Sequence, residues 1–94
     1  MEADEARCPH HAPHVVAKTV DDTAVLLNLS NEIYYSLNEV GSRVWELADG
    51  QRSIAAIVDV LAGEYDAARD QIREDVHDLL ANLAAEGLVV WDAA

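Results

Sequence analysis

Apolar positions between His14 and Trp91 change their period once, from two to about three and a half, and that change separates a sheet-forming stretch from a helix-forming one. His14 to Val20 (HVVAKTV) is rich in strand-forming residues and is stopped by Asp21-Asp22-Thr23, which has turn chemistry. The β-rich run Ala24 to Leu29 follows, then the polar Ser30-Asn31-Glu32, then Ile33 to Leu37, so the last two runs predict a hairpin. In its second strand Ile33, Tyr35 and Leu37 share one face, whereas Tyr34 and Ser36 point to the other.

From Asn38 onward the pattern is helical. Asn38 can cap a helix that carries Glu39 in its first turn, and Val40, Val44, Leu47 and Ala48 recur at helical spacing up to Gly50. Ser53 is a second cap, followed by the stripe Ile54, Ile57, Val58 and Leu61 and an expected end near Gly63 or Tyr65. A third, longer helix is expected from about Ala67 to Glu86, with Ile72, Val76, Leu79, Leu80 and Leu83 on its apolar face and Gly87 closing it; Leu88 to Trp91 is a short strand or a packed extension. The predicted fold class is therefore α+β, a three-stranded antiparallel sheet followed by a three-helix bundle with winged helix-turn-helix proportions. Residues 1–13, with two prolines and no apolar period, read as a flexible amino-terminal arm ahead of a domain at 14–94.

Composition narrows the partners. Of the 94 residues 51% are hydrophobic, which suffices for one modest core, while aromatics are 5% and Phe is absent, so a deep cofactor pocket is not expected and no cofactor is assigned. The net charge of −12 argues against nucleic acid and anionic membrane as partners. The segment that would enter a DNA groove, 67–87, sets two arginines against five acidic residues. No apolar run reaches the length of a membrane span, the acidic start does not resemble a secretory signal, and a single cysteine agrees with a reducing compartment, so a cytoplasmic location is expected.

Catalytic signatures are lacking: there is no Gly-rich phosphate loop, no nucleophile elbow and no Cys-His or Ser-His pair in a recognisable context, so an enzyme is not expected. The cluster Cys8, His10, His11 and His14 has zinc-ligand chemistry, but its two prolines and the absence of a second Cys cluster favour a plain tail. No metal site is assigned.

The stretches AVLLNLSNEIYYSLNEVGSRVWELADG, SIAAIVDVLAGEYD and EDVHDLLANLAAEGLV together resemble the PqqD-like family, whose fold is also known as the precursor-peptide recognition element. The most specific segments are Tyr34-Tyr35-x-Leu37-Asn38-x-x-Gly41 and Asp75-Val76 to Gly87-Leu88, and the resemblance spans roughly residues 14–90. It implies that the leader of a ribosomally made precursor peptide adds as a strand to the sheet edge and lies against the third helix, to be presented to maturation enzymes. The implied site is Glu32, Ile33, Tyr34, Tyr35, Ser36 and Leu37 on the edge strand. On the helix it is Asp75, with Val76, Leu79 and Leu83 as an apolar floor. Tyr34 and Tyr35 have the plain alternative of ordinary sheet residues, and Val76, Leu79 and Leu83 that of wholly core residues. Asn38 and Gly41 are read as structural, a cap and a close approach of backbone to sheet.

The compact stand-alone form looks most like members working beside the leader peptidase and cyclase of lasso-peptide pathways. A peptide chaperone for a radical-SAM enzyme of quinone-cofactor synthesis, and an acidic winged-helix regulator of transcription, are the alternatives. The expected partners are the precursor peptide and a separate maturation enzyme. An open strand edge permits a monomer or a strand-swapped dimer.

Overall fold

The computed structural model describes residues 6–91. Its elements run β1 (Pro9–His11), β2 (Val15–Val20), β3 (Thr23–Asn28), β4 (Ile33–Ser36), α1 (Glu39–Leu47), α2 (Ile54–Glu64), α3 (Arg69–Ala85) and β5 (Val89–Trp91). The predicted three strands and three helices are all present, in an α+β arrangement. The antiparallel sheet has the order β2-β3-β4, and a separate two-stranded sheet joins β1 to β5.

Local chemistry accounts for each boundary. Asp21 and Asp22 both adopt left-handed backbone, at φ 50° and 67°, between the paired Val20 and Thr23. Two such residues make the turn whose twist matches that of the flanking strands. The β3–β4 loop is held by side chains: Asn28 Oδ1 accepts from Ser30 N at 2.9 Å, Asn31 Oδ1 accepts from Ile33 N at 3.0 Å, and Glu32 is left-handed at φ 60°. Along β3 the burial alternates, with Ala24, Leu26 and Asn28 turned inward. Asn28 is a polar group in the core, and its Nδ2 donates to Glu86 O at 3.2 Å, so its amide is satisfied on both sides.

Asn38 caps α1 as expected, accepting from Gly41 N at 2.7 Å, and Ser53 caps α2, accepting from Ala56 N at 3.1 Å. An Asn38→Ala variant is expected to lose about 1 kcal/mol of stability, the usual worth of such a cap, readable as a shift in the urea midpoint at unchanged slope. Ser42, buried on α1, accepts from Ala24 N at 2.6 Å and so ties the helix to β3. The stripe Ile54, Ile57, Val58 and Leu61 is buried as its spacing predicts, against Ile72, Val76, Leu80 and Leu83 of α3. Gly87, at φ 76°, turns the chain out of α3 into β5.

The flexible arm through residue 13 is corrected by the structure. Pro9–His11 is a strand registered against β5, with His11 opposite Val89 and Pro9 opposite Trp91. Pro9 is fully buried and Ala12 is 2% exposed. The His11 ring stacks on the Trp45 ring, centroids 3.6 Å apart and planes within 3°, and its Nε2 donates to Trp45 O at 2.7 Å. The Arg7 guanidinium lies 5.2 Å from the centre of the Trp91 ring. The first part of the arm, residues 1–5, lies outside the described residues. The chain's last strand thus completes a sheet with the amino-terminal strand, and does not extend the sheet of β2, β3 and β4 as a wing would.

Candidate functional site

The site is assembled from one open sheet edge and one helix. In the order β2-β3-β4 the outer side of β4 has no neighbouring strand among the described residues. Leu37 N donates to Ala24 O at 2.9 Å, and since bonded pairs alternate along an antiparallel ladder, Tyr35 and Ile33 also turn their backbone groups to β3. The N–H and C=O of Tyr34 and Ser36 therefore point to the open edge.

Beside that edge lies an apolar cleft of about 160 Å³ between α1, α2 and α3, with Val40, Leu61, Tyr65, Ile72 and Leu79 among its walls. A second hollow of about 260 Å³ shares Val40, Asp75 and Leu79 with it and reaches Asn38 and Gly41, at the point where β4 passes into α1. The two adjoin along α3 and together are called the groove. Among the described residues Asp75 is the charged group that lines both hollows; it is exposed, and its Oδ1 accepts from Gln71 Nε2 at 2.9 Å. Gly41 borders the second hollow without a side chain, and a Cβ there would meet Asn38 Oδ1 at 3.1 Å and Leu79 Cδ2 at 3.5 Å.

A hydrogen bond also ties the edge strand to the end of α3. The Tyr35 hydroxyl donates to Glu86 Oε1 at 2.8 Å, linking β4 to the end of α3 and raising the phenol's pKa above its usual value, chiefly through that bond and then through burial. On the opposite side Arg43 of α1 grips Glu64 of α2 at 2.6 Å. The guanidinium holds the Glu64 carboxyl below the ordinary glutamate range, so this tie is present above that range and is lost as pH falls through the lowered value.

The residues expected from the sequence divide into three groups. Tyr34, Ser36 and Ile33 are exposed on β4 and Tyr35 is half-buried on its inward side, while the half-buried Leu37 follows the strand's last residue, Ser36. Glu32 belongs to the turn before β4 and not to the strand. Asp75, Val76 and Leu79 do line the groove, with Val76 buried behind it. Leu83 is 4% exposed and packs within the core, the plain alternative given for it, and it lines neither of these two hollows. Sequence reasoning missed Val40, Val44, Leu61, Tyr65 and Ile72 as groove residues. Their spacing marks an apolar stripe and carries no sign of the gap between helices. Asn38 and Gly41, read as structural, also border the groove.

An α+β domain with a vacant strand edge beside an apolar groove defines a class suited to holding an extended peptide. The chain belongs to the family described as Coenzyme PQQ synthesis protein D (PqqD), whose profile matches residues 23–89. Among its relatives is the PqqA binding protein of Rhodopseudomonas palustris (strain TIE-1), 38% identical over 61 residues. That match covers 65% of this chain, and the chain spans 60% of the length of that relative. Among solved structures, TbiB1 in complex with the TbiA(beta) leader peptide is 34% identical, with a TM-score of 0.83 over 90% of this chain and 99% of that one. Lasso peptide synthetase B1 complexed with the leader peptide shares the fold at a TM-score of 0.80 and 22% identity, over 88% and 98% of the two chains.

Proposed function

We propose that this chain binds the leader segment of a ribosomally made precursor peptide, as a strand added to β4, and presents it to a separate maturation enzyme. The observation that carries the proposal is the pairing of unbonded backbone groups at Tyr34 and Ser36 with the apolar groove along α3. The backbone bonds hold any extended peptide, and the groove selects apolar side chains from it. Asp75 at the groove's rim can meet a backbone amide, a hydroxyl or a cation of the guest. The likeness to TbiB1, whose structure is a leader-peptide complex, supports this, as does the name PqqA binding protein carried by relatives.

The chain's own role is binding and not catalysis, and its place of action is the cytosol, where precursor peptides are made. A lasso-peptide pathway is the setting the family resemblance implies, and the fold shared with lasso peptide synthetase B1 agrees with it. The helical part keeps winged-helix proportions but serves a peptide in place of a duplex. The five acidic residues of 67–87 against two arginines support that use.

Titration of the purified chain with the leader of its cognate precursor is expected to give a Kd of about 1 μM or tighter. No binding at that concentration, together with salt-sensitive binding of duplex DNA, would reverse the assignment in favour of a regulator. Tyr34→Ala and Asp75→Ala each alter an exposed side chain, so each should weaken leader binding by about three- to tenfold with little change in melting temperature. Wild-type affinity in both variants would move the site elsewhere.

A further inference from the structure

The sheet β2-β3-β4 has a second open edge. The outer side of β2, like that of β4, has no neighbouring strand among the described residues. Leu29 N donates to His14 O at 2.9 Å, and with alternation along the ladder Val16, Lys18 and Val20 bond to β3. The backbone groups of Val15, Ala17 and Thr19 therefore face away from the sheet. Val15 N donates to Ala12 O at 3.2 Å, which leaves the Val15 carbonyl and both backbone groups of Ala17 and Thr19 vacant. The strand is six residues long and exposed from Val16 to Val20. Ala17 and Thr19 lie opposite Leu26 and Ala24 and so share the inward face, yet both are exposed, because the helices stop short of β2. A hollow of about 220 Å³, lined by Thr19 and by Glu39, Ser42 and Arg43 of α1, lies beside the strand there. An edge of this length and openness is a template for one more strand.

The residues of β2 fit an antiparallel copy of themselves in one register. Vacant positions must face vacant positions, so a two-fold pairing is centred on Val16, Ala17 or Lys18. Centred on Lys18, it sets two ammonium groups directly opposite each other, which is destabilising. Centred on Val16, it sets Thr19 opposite Pro13, which has no N–H to donate. Centred on Ala17, it lets each Ala17 N–H meet the other copy's Ala17 carbonyl and each Thr19 N–H meet the other copy's Val15 carbonyl, with Lys18 opposite Val16 and no like charges face to face. The acidic turns at Asp21-Asp22 of the two copies then stand roughly 30 Å apart, at about 3.3 Å per residue, well beyond the Debye length of about 8 Å at physiological salt.

We infer that two copies of this chain pair edge to edge through β2, making one continuous sheet in the order β4-β3-β2-β2-β3-β4 with no element exchanged. Both β4 edges lie at the far ends of that sheet, so each copy keeps its vacancy, and under the leader-binding function above one particle carries two leaders. The pairing itself does not require that function. The net charge of −12 on each copy opposes association, so the dimer strengthens as salt screens the repulsion. A partner held by opposite charge would weaken instead.

Sedimentation equilibrium of the full chain should give a dimer with a Kd of about 100 μM or tighter in about 0.5 M salt, and one at least about threefold weaker in about 0.05 M salt. Ala17→Pro removes an N–H that β3 does not use, and should weaken the dimer by at least about tenfold with an unchanged circular dichroism spectrum. Val16 supplies a test that a folding defect does not mimic. Val16→Glu places a carboxylate opposite Lys18 of the second copy and should tighten the dimer about threefold, although each copy becomes more negative. Val16→Lys places an ammonium there and should loosen it about threefold, although each copy becomes less negative. Saturating leader peptide should leave the dimer constant within about twofold. A chain that stays monomeric at about 1 mM in the higher salt overturns the inference. So does a dimer that folded Ala17→Pro leaves intact, or one whose Val16 variants follow net charge in place of the residue opposite. Should Ala17→Pro fail to fold, the Val16 pair decides. A dimer that leader dissociates would put the contact at β4 and overturn the inference as well, whereas absence of leader binding would strike the leader-binding function alone, since sedimentation reads the pairing without a leader.

Discussion

A Ser36→Pro variant is expected to lose leader binding by at least about 30-fold while remaining folded, the worth of one lost backbone bond plus an obstructed edge, or roughly 2 kcal/mol. The expectation follows from the parity of the ladder. Leu37 bonds to Ala24, so Tyr35 and Ile33 bond to β3 and Ser36 does not. Proline at 36 thus removes an N–H that β3 never used and puts a ring in the path of an incoming strand. Edge strands tolerate such a residue, and the extended backbone that proline demands of its predecessor is already that of Tyr35. Tyr35→Pro would differ in kind, because it breaks the bond to Leu26 and should destabilise the sheet itself. The guest can be altered in the same way: methylating leader amides at every second position should abolish binding in one phase and leave it nearly intact in the other. Native affinity for Ser36→Pro, or indifference of the leader to the phase of methylation, would place the guest off this edge.

The parts of this edge that could be read from the sequence are those that local chemistry determines. Asn38 and Ser53 cap where their side chains predict. Asp21-Asp22 turns the chain, and the spacing of Ile54, Ile57, Val58 and Leu61 fixes which face of α2 is buried. The alternation in β4 was likewise legible, although Ile33, on the inward side by period, is 48% exposed because the strand begins there, beyond the cover of the helices. The groove was legible only in outline. Leu79 and Leu83 are four residues apart on one stripe of α3 and look alike in the sequence, yet Leu79 lines the groove and Leu83 is core. What separates them is tertiary packing, which helical periodicity does not carry.

The amino-terminal strand was illegible for a different reason. Cys-Pro-His-His-Ala-Pro-His has neither alternation nor strand propensity, and its pairing partner, Val89–Trp91, lies at the other end of the chain. A strand of three residues held by a distant partner and by a ring stack leaves no periodic trace. The thiol and imidazole chemistry that drew notice there has a structural use at one position at least, since His11 donates to the end of α1 while stacking on Trp45.

Deleting residues 1–13 is therefore expected to lower the domain's stability by about 2 kcal/mol or more, and hence its melting temperature by roughly 8–16 °C at the usual 4–8 °C per kcal/mol for a chain of this size. The deletion uncovers Trp45 and Val89, which are 4% and 2% exposed, and strips β5 of its pairing strand. It also releases Gly50 N from Pro9 O, Ile54 N from Arg7 O and Leu88 O from Ala12 N, bonds of 2.9, 3.0 and 3.0 Å that tie the arm to three separate parts of the fold. The entropy regained by the freed arm offsets part of this loss, which is why the expected figure is well below the sum of the contacts. His11→Ala, which removes the ring stack and leaves the strand, should cost less, about 1 kcal/mol. The β4 edge and the groove along α3 involve none of the deleted residues, so leader affinity measured well below the lowered melting point should change by less than about threefold. A melting temperature within a degree or two of the full chain would show that these residues contribute nothing to the fold, and a collapse of leader affinity in the still-folded truncation would bring the arm into the binding site.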